Sequence, residues 1–334
     1  MDAMENTPTM LSQKRRLNSC LLAMALTVLA TSTEAAEPAG IAADGAGAMD
    51  TLVSAEWLLE HLDDPDLVVI DATVVIEQDE SGMRSVNGRA NHDAGHIPNA
   101  AFADLMGELS DPESRFQFAV PSPEQFAKAM GSLGVGDDSR VVIYDANGMS
   151  WAARVWWMLR WIGFDQAALL DGGLAAWKAA GGPLSTEPSN RPARELTVKL
   201  RPELIADQDE VRESIENESI NLIDSLPEPH YRGDWTMYER SGHIPGASNV
   251  PVTSLFDDTG RFLPDDQLAD LFESSRHART ITYCGGGIAA ASDAFVMTRL
   301  GFTDVAVYAA SLQEWTANFD NPMDVVLDFE DSEE

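Results

Sequence analysis

The stretch ITYCGGGIAAASDAF (residues 281–295) sets the frame for the whole chain. A β-rich run ends at Cys284, three glycines follow, and residues 293–300 carry a helical pattern with alanines 289–291 leading in. A strand that passes through a glycine loop into a helix is the working joint of an open parallel sheet, where ligands bind beyond the carboxyl ends of the strands. Such a loop points its backbone N–H groups into the bowl it forms, and the helix dipole adds to their pull on an anion. Gly285, Gly286 and Gly287 are expected to supply the positive φ values that the bowl requires. A thiolate, a persulfide or a bound oxyanion would all be held there, so the position suits a nucleophile better than a packing residue.

Working outward, the same unit occurs twice. LVVIDATV, AGHIPNAAF, RVVIYDANG and LDGGLAAW in the first half answer INLIDSLP, SGHIPGASN, RTITYCGGG and YAASLQEW in the second. Asp71 matches Asp224, His96 matches His243, Tyr144 matches Tyr283, Gly163 matches Gly301 and Trp177 matches Trp315. A conserved order at a slowly drifting offset means two homologous domains. The repeat is also an internal control on the cysteine, because Asp145 stands where the second half has Cys284. An aspartate there implies a position facing solvent or a polar cavity, and thiol chemistry in the second half alone.

Each half alternates short apolar runs with amphipathic ones. LVVID, RVVIY and AALL are nearly all apolar, as strands buried on both faces are. Between them lie helical segments. One is SPEQFAKAMGSLG, with Ser122 placed as N-cap and Gly134 at the stop; another is SWAARVWWMLRWIG, ending at Gly163. Strand–helix alternation predicts an α/β fold, each half a parallel sheet with helices on both faces. The expected division is a signal peptide over 1–36, a catalytically silent domain over 50–180, and a Pro-, Gly- and Ser-rich linker over 181–200. A catalytic domain over 201–320 and an unstructured acidic tail over 321–334 complete it. Lys14, Arg15 and Arg16 before the apolar run LLAMALTVLA, then small residues at Ala35 and Ala36, are the pattern of a cleaved export signal. Its removal predicts a periplasmic or secreted protein with Cys284 as its one cysteine and no internal disulfide.

The net charge of −33 argues against nucleic acid and anionic membrane surfaces as partners. One loop cysteine and scattered histidines show no metal-ligand spacing, and nothing calls for a cofactor.

The motifs GHIPNA, GHIPGA, RVWWMLRWIGF and LDGGLAAW, with a cysteine loop opening the last long helix, resemble the tandem-domain rhodanese family of sulfurtransferases over residues 50–320. The resemblance implies two rhodanese-like domains, the first silent. It also implies ping-pong transfer of sulfane sulfur from a small anionic donor, thiosulfate or 3-mercaptopyruvate, through a Cys284 persulfide to a thiophilic acceptor such as cyanide or a thiol. Gly285, Gly286, Gly287, Ile288 and Ala289 would frame the donor, and Asp224 at a strand end would orient the loop. This chain departs from the family where a basic pair or a Gly-Ser pair follows the cysteine: here the residues are Gly285 and Gly286. Missing basic residues argue against tight thiosulfate binding, and the missing serine removes a hydroxyl that assists proton transfer. Arginines expected after Asp224 are replaced by Leu226 and His230; Arg232 lies two residues beyond, so His230 and Arg232 are the candidate donor-binding groups. A cysteine phosphatase would need an arginine at Ala290. The competing reading is a non-catalytic rhodanese-like binding or sulfur-carrier module.

Overall fold

The structure is a computed structural model that describes residues 49–79 and 82–326. The expected signal segment and the tail beyond 326 lie outside the described residues. The first half contains strands β1 (Leu52–Val53), β2 (Leu67–Asp71), β3 (Val74–Asp79), β4 (Gly82–Asn87), β5 (Ala101–Phe102), β6 (Arg140–Tyr144) and β7 (Ala167–Leu170). Its helices are α1 (Ala55–His61), α2 (Arg89–Ala94), α3 (Pro123–Ser132), α4 (Ser150–Trp161) and α5 (Gly173–Ala179). The second half contains β8 (Ile205–Ala206), β9 (Ile220–Asp224), β10 (Ser248–Asn249), β11 (Arg279–Tyr283) and β12 (Val305–Tyr308). It adds helices α6 (Gln208–Glu216), α7 (Glu228–Arg232), α8 (Asp265–Ala269), α9 (Ala289–Arg299) and α10 (Ser311–Ala317).

Two five-stranded parallel sheets result, in the orders β1-β7-β6-β2-β5 and β8-β12-β11-β9-β10, so every strand has its counterpart in the same place. The apolar runs explain why. β2 is buried along its whole length and β7 likewise, as strands covered by helices on both faces must be. Ser122 caps α3 by accepting from the Gln125 amide at 3.2 Å, and Gly134 and Gly163 close α3 and α4 at positive φ. The antiparallel hairpin of β3 and β4 is an insertion of the first half that the repeat does not contain.

The duplication extends to single bonds. Tyr144 donates to Asp71 (3.1 Å) and accepts from the Ile97 amide (3.3 Å); the Tyr283 hydroxyl accepts from the Ile244 amide (3.0 Å) beside Asp224. Trp177 and Trp315 each donate their indole N–H to a proline carbonyl, of Pro183 and Pro322. His96 pairs its main chain with Ser185, and His243 with Asp324. That last pair corrects the expectation of an unstructured tail: up to residue 326 the segment is tied back, with the Val326 amide on the Arg232 carbonyl at 3.0 Å. The segment after residue 181 also lies on the first domain, through Arg194 to Gly131 and Lys199 to Ile162.

The halves meet along α4 and α9. Trp156 of α4 packs edge-on against Phe295 of α9 with centroids 4.8 Å apart, and one apolar cluster of buried residues runs through both domains. The seam therefore sits directly behind the two loops that follow β6 and β11.

Candidate active site

Cys284 follows β11 and is 3% exposed; Asp145, its counterpart after β6, is 1% exposed. Of the two expected settings, solvent or a polar cavity, burial excludes the first. Both side chains are wrapped by their own loops, because a bowl of N–H groups that holds an anion must close around it. The Gly287 amide points back to Cys284 Sγ at 3.1 Å. The Cys284 amide donates to Ser311 Oγ (3.1 Å), which donates in turn to the Tyr308 carbonyl (2.6 Å). The amides of Leu312 and Gln313 close on the carbonyls of Cys284 and Gly285, both at 3.1 Å. Ser311 holds φ 53°, where the first domain has Gly173, also at φ 53°. A non-glycine residue in that region costs about 1–2 kcal/mol, so the strand of bonds through the Ser311 hydroxyl is maintained against backbone strain.

The three glycines do different work from the expected one. Only Gly287, at φ 77°, needs the left-handed region. Gly285 and Gly286 are required because other side chains occupy the space where a Cβ would be. A Cβ on Gly285 would lie 1.6 Å from the Tyr238 hydroxyl, and one on Gly286 would lie 2.2 Å from Gln313 Nε2. A Cβ on Gly287 would come within 2.6 Å of both the Ala309 carbonyl and an Arg154 guanidinium nitrogen. The glycine run thus lets a phenol, an amide and a guanidinium approach the loop that carries the sulfur.

Arg154 comes from α4 of the first domain. It is 1% exposed and donates to the carbonyls of Gly287 (3.1 Å) and Phe118 (2.8 Å). Among the described residues no carboxylate pairs with it. Burial pulls its pKa down to about 10, and the charge of the Cys284 sulfur opposes that shift. It is a cation at neutral pH, held in a low-dielectric seam against the loop that carries Cys284. Gln313 of α10 reaches the other way: its amide oxygen accepts from the Gln117 amide (2.9 Å) and its Nε2 donates to the Gln117 carbonyl (3.2 Å). A cavity of about 470 Å³ opens there, lined by Arg115, Met237, Tyr238, Glu239, Gln313 and Thr316 among others.

Of the residues read from sequence, Ile288 and Ala289 pack against the core at the start of α9. Asp224 accepts from the Leu226 amide at 2.8 Å and lies beside the hydroxyl of Tyr283, the residue before Cys284. His230 is buried edge-on against Trp235, with burial pushing its pKa down, and Arg232 lies 3.5 Å from Asp234. The groups gathered on the glycine loop are instead Arg154, Tyr238, Ser311 and Gln313. Arg154 had a visible signal, a lone arginine on the apolar face of SWAARVWWMLRW; the other three had none. His96 and His243 act structurally: the His96 ring nitrogens lie 2.7 and 2.9 Å from the carbonyls of His92 and Glu187, and His243 Nδ1 lies 2.7 Å from that of Tyr231.

Comparison with known proteins agrees with this architecture. The model of the Rhodanese-like domain matches twice, over residues 54–180 and 207–318. A probable 3-mercaptopyruvate sulfurtransferase of Pseudomonas aeruginosa is 34% identical over 281 residues, covering 81% of this chain and 97% of the relative. The thiosulfate sulfurtransferase of Gallus gallus is 31% identical, over 79% of this chain and 92% of its own. The crystal structure of SseA from Escherichia coli, described as a 3-mercaptopyruvate sulfotransferase, superposes with a TM-score of 0.70 at 32% identity, over 79% of this chain and 99% of that one. The chain belongs to the rhodanese-like family, with the domain in tandem. It is an enzyme of the sulfurtransferase class.

Proposed function

We propose that this protein moves sulfane sulfur from 3-mercaptopyruvate, and less readily from thiosulfate, to cyanide or a thiol, with Cys284 as the persulfide carrier. The observation that carries the reading is the bowl itself. Cys284 Sγ receives the Gly287 amide at the entrance to α9, with the Arg154 guanidinium behind the loop. Main-chain dipoles and one buried cation favour a thiolate before transfer and a terminal persulfide anion after it. The thiolate attacks the donor sulfur, the bond from that sulfur to carbon or to sulfite breaks, and the electron pair leaves with the departing fragment. The acceptor then takes the outer sulfur and returns the thiolate.

Support for mercaptopyruvate as the better donor is the uncharged loop: residues 285–289 hold no lysine or arginine. Relatives bearing either name are similar to this chain, so the loop is the discriminating feature. Arg115 in the cavity lining and Arg232 at the end of α7 are the cations offered to the donor anion. The N-terminal pattern supports export, which N-terminal sequencing of the mature protein and cell fractionation test. Incubation with each donor followed by intact-mass measurement tests the chemistry. A gain of one sulfur, absent in Cys284→Ser, is expected; no adduct from either donor overturns the reading in favour of a binding module.

A further inference from the structure

We infer that Tyr238 is a catalytic residue whose hydroxyl hydrogen-bonds the carbonyl oxygen of an α-keto thiol donor as that oxygen becomes an enolate. The inference rests on the sulfurtransferase reading above and adds the group that serves the departing carbon fragment.

The geometry is specific. The Tyr238 hydroxyl lies against the Cα of Gly285, the residue bonded to Cys284, so closely that a Cβ at 285 would be 1.6 Å from it. Tyr238 also lines the 470 Å³ cavity at the domain seam. It therefore connects the cavity lining to the glycine loop that follows Cys284. The family's loop serine is absent, since position 286 is glycine, and that space is taken by Gln313. Gln313 has both ends of its amide engaged with Gln117, which leaves the phenol as the hydroxyl over the loop. Burial, and after it the negative sulfur of Cys284, raises the proton affinity of the phenol, so Tyr238 stays neutral and donates.

The step balances without an outside reagent. The Cys284 thiolate forms a bond to the sulfur of HS–CH₂–CO–COO⁻. The C–S bond breaks, its electron pair becomes the C=C bond of the enolate, and the carbonyl π pair moves onto the oxygen that faces Tyr238. The proton of the donor thiol ends on the carbon, giving pyruvate and a Cys284 persulfide anion. Tyr238 neither gains nor loses a proton overall. A donor that stabilises developing charge on oxygen acts only on this leaving group. Sulfite, leaving from thiosulfate, already carries its charge on oxygens and needs no enolate stabilisation.

Tyr238→Phe removes the hydroxyl and keeps the ring. With 3-mercaptopyruvate it is expected to lose about 100-fold in kcat with little change in KM. With thiosulfate both constants should stay within about threefold. Gly285→Ala, whose new methyl displaces the hydroxyl, should reproduce that loss, and the double variant should be no worse than either single one. Equal losses with both donors would assign Tyr238 a structural role and overturn the inference. Loss below about threefold with mercaptopyruvate would overturn it too, as would a double variant falling by the product of the singles. Wild-type protein that accepts sulfur from neither donor would instead sink the sulfurtransferase reading, and the inference with it.

Discussion

The loops after β6 and β11 are one device in two states of occupancy. In the first domain the bowl is filled by its own residue. Asp145 accepts the amides of Asn147 (2.7 Å), Met149 (3.1 Å) and Ala152 (3.0 Å), and burial raises its pKa against those bonds. In the second domain the Gly287 amide meets Cys284 Sγ at 3.1 Å, while the Ala291 amide, which matches that of Ala152, bonds the Ile288 carbonyl at 3.1 Å. A carboxylate reaches one atom farther from the backbone than a thiolate does. The surroundings differ as well. Arg154 of α4 reaches Gly287, whereas its counterpart on α9, Asp293, accepts from the Ser225 hydroxyl at 2.6 Å within its own domain. The first domain lacks the nucleophile but lends its guanidinium to the second.

The sharpest way to break this comparison is to exchange the contents of the bowls. Asp145→Cys combined with Cys284→Ser is expected to take up no sulfur above the level of Cys284→Ser alone, read by intact mass, because among the described residues no cation or phenol bonds the side chain in the first bowl. Uptake at the wild-type level would show that a bowl of amides suffices. Next in size, Arg154→Met should lower kcat/KM for either donor by about 100-fold, roughly 2.7 kcal/mol of lost charge stabilisation. Arg154→Lys should recover little, since one ammonium cannot span the carbonyls of Gly287 and Phe118. Recovery of full activity by lysine would reduce Arg154 to a generic charge.

A third effect is on stability. Burial pushes the carboxyl of Asp224 up to about 7 from an ordinary 3.8, and burial also raises Asp293, which holds the Ser225 hydroxyl at 2.6 Å. The folded state therefore binds these protons more tightly than the unfolded one. For Asp224 that contribution to stability is full below about pH 4, falls as pH rises towards 7 and levels above it. Thermal melts from pH 5 to 8 should show the wild type losing Tm relative to Asp224→Asn; parallel curves would remove Asp224 from the account. The smallest effect expected is from Arg232→Ala, a rise of about two- to fivefold in KM with kcat unchanged. An unchanged KM would leave Arg232 to Asp234 alone.

Much of the fold was legible because the relevant signals are local. LVVID, RVVIY, AALL and RTITY became β2, β6, β7 and β11 at their expected bounds, since a strand buried on both faces writes itself as an unbroken apolar run. The hairpin of β3 and β4 went unread because half-exposed strands such as GMRSVN carry no such run. Cys284 was legible from its place between strand and helix, and the repeat showed what replaced it. Tyr238 and Gln313 were not legible, because nothing in their own neighbourhoods distinguishes them. Their contact with Gly285 and Gly286 spans dozens of residues.

By itself, then, the sequence determined two copies of a parallel α/β unit and placed the one cysteine among the described residues on its strand–glycine–helix joint, because periodicity and such a joint are properties of neighbouring residues. Only the tertiary structure decided what surrounds the sulfur. Packing α4 against α9 carries Arg154 across the seam, and the loop before His243 lays Tyr238 on Gly285. Electrostatics and hydrogen bonding act over a few ångströms in space, and no spacing along the chain records which distant residues fall within that range.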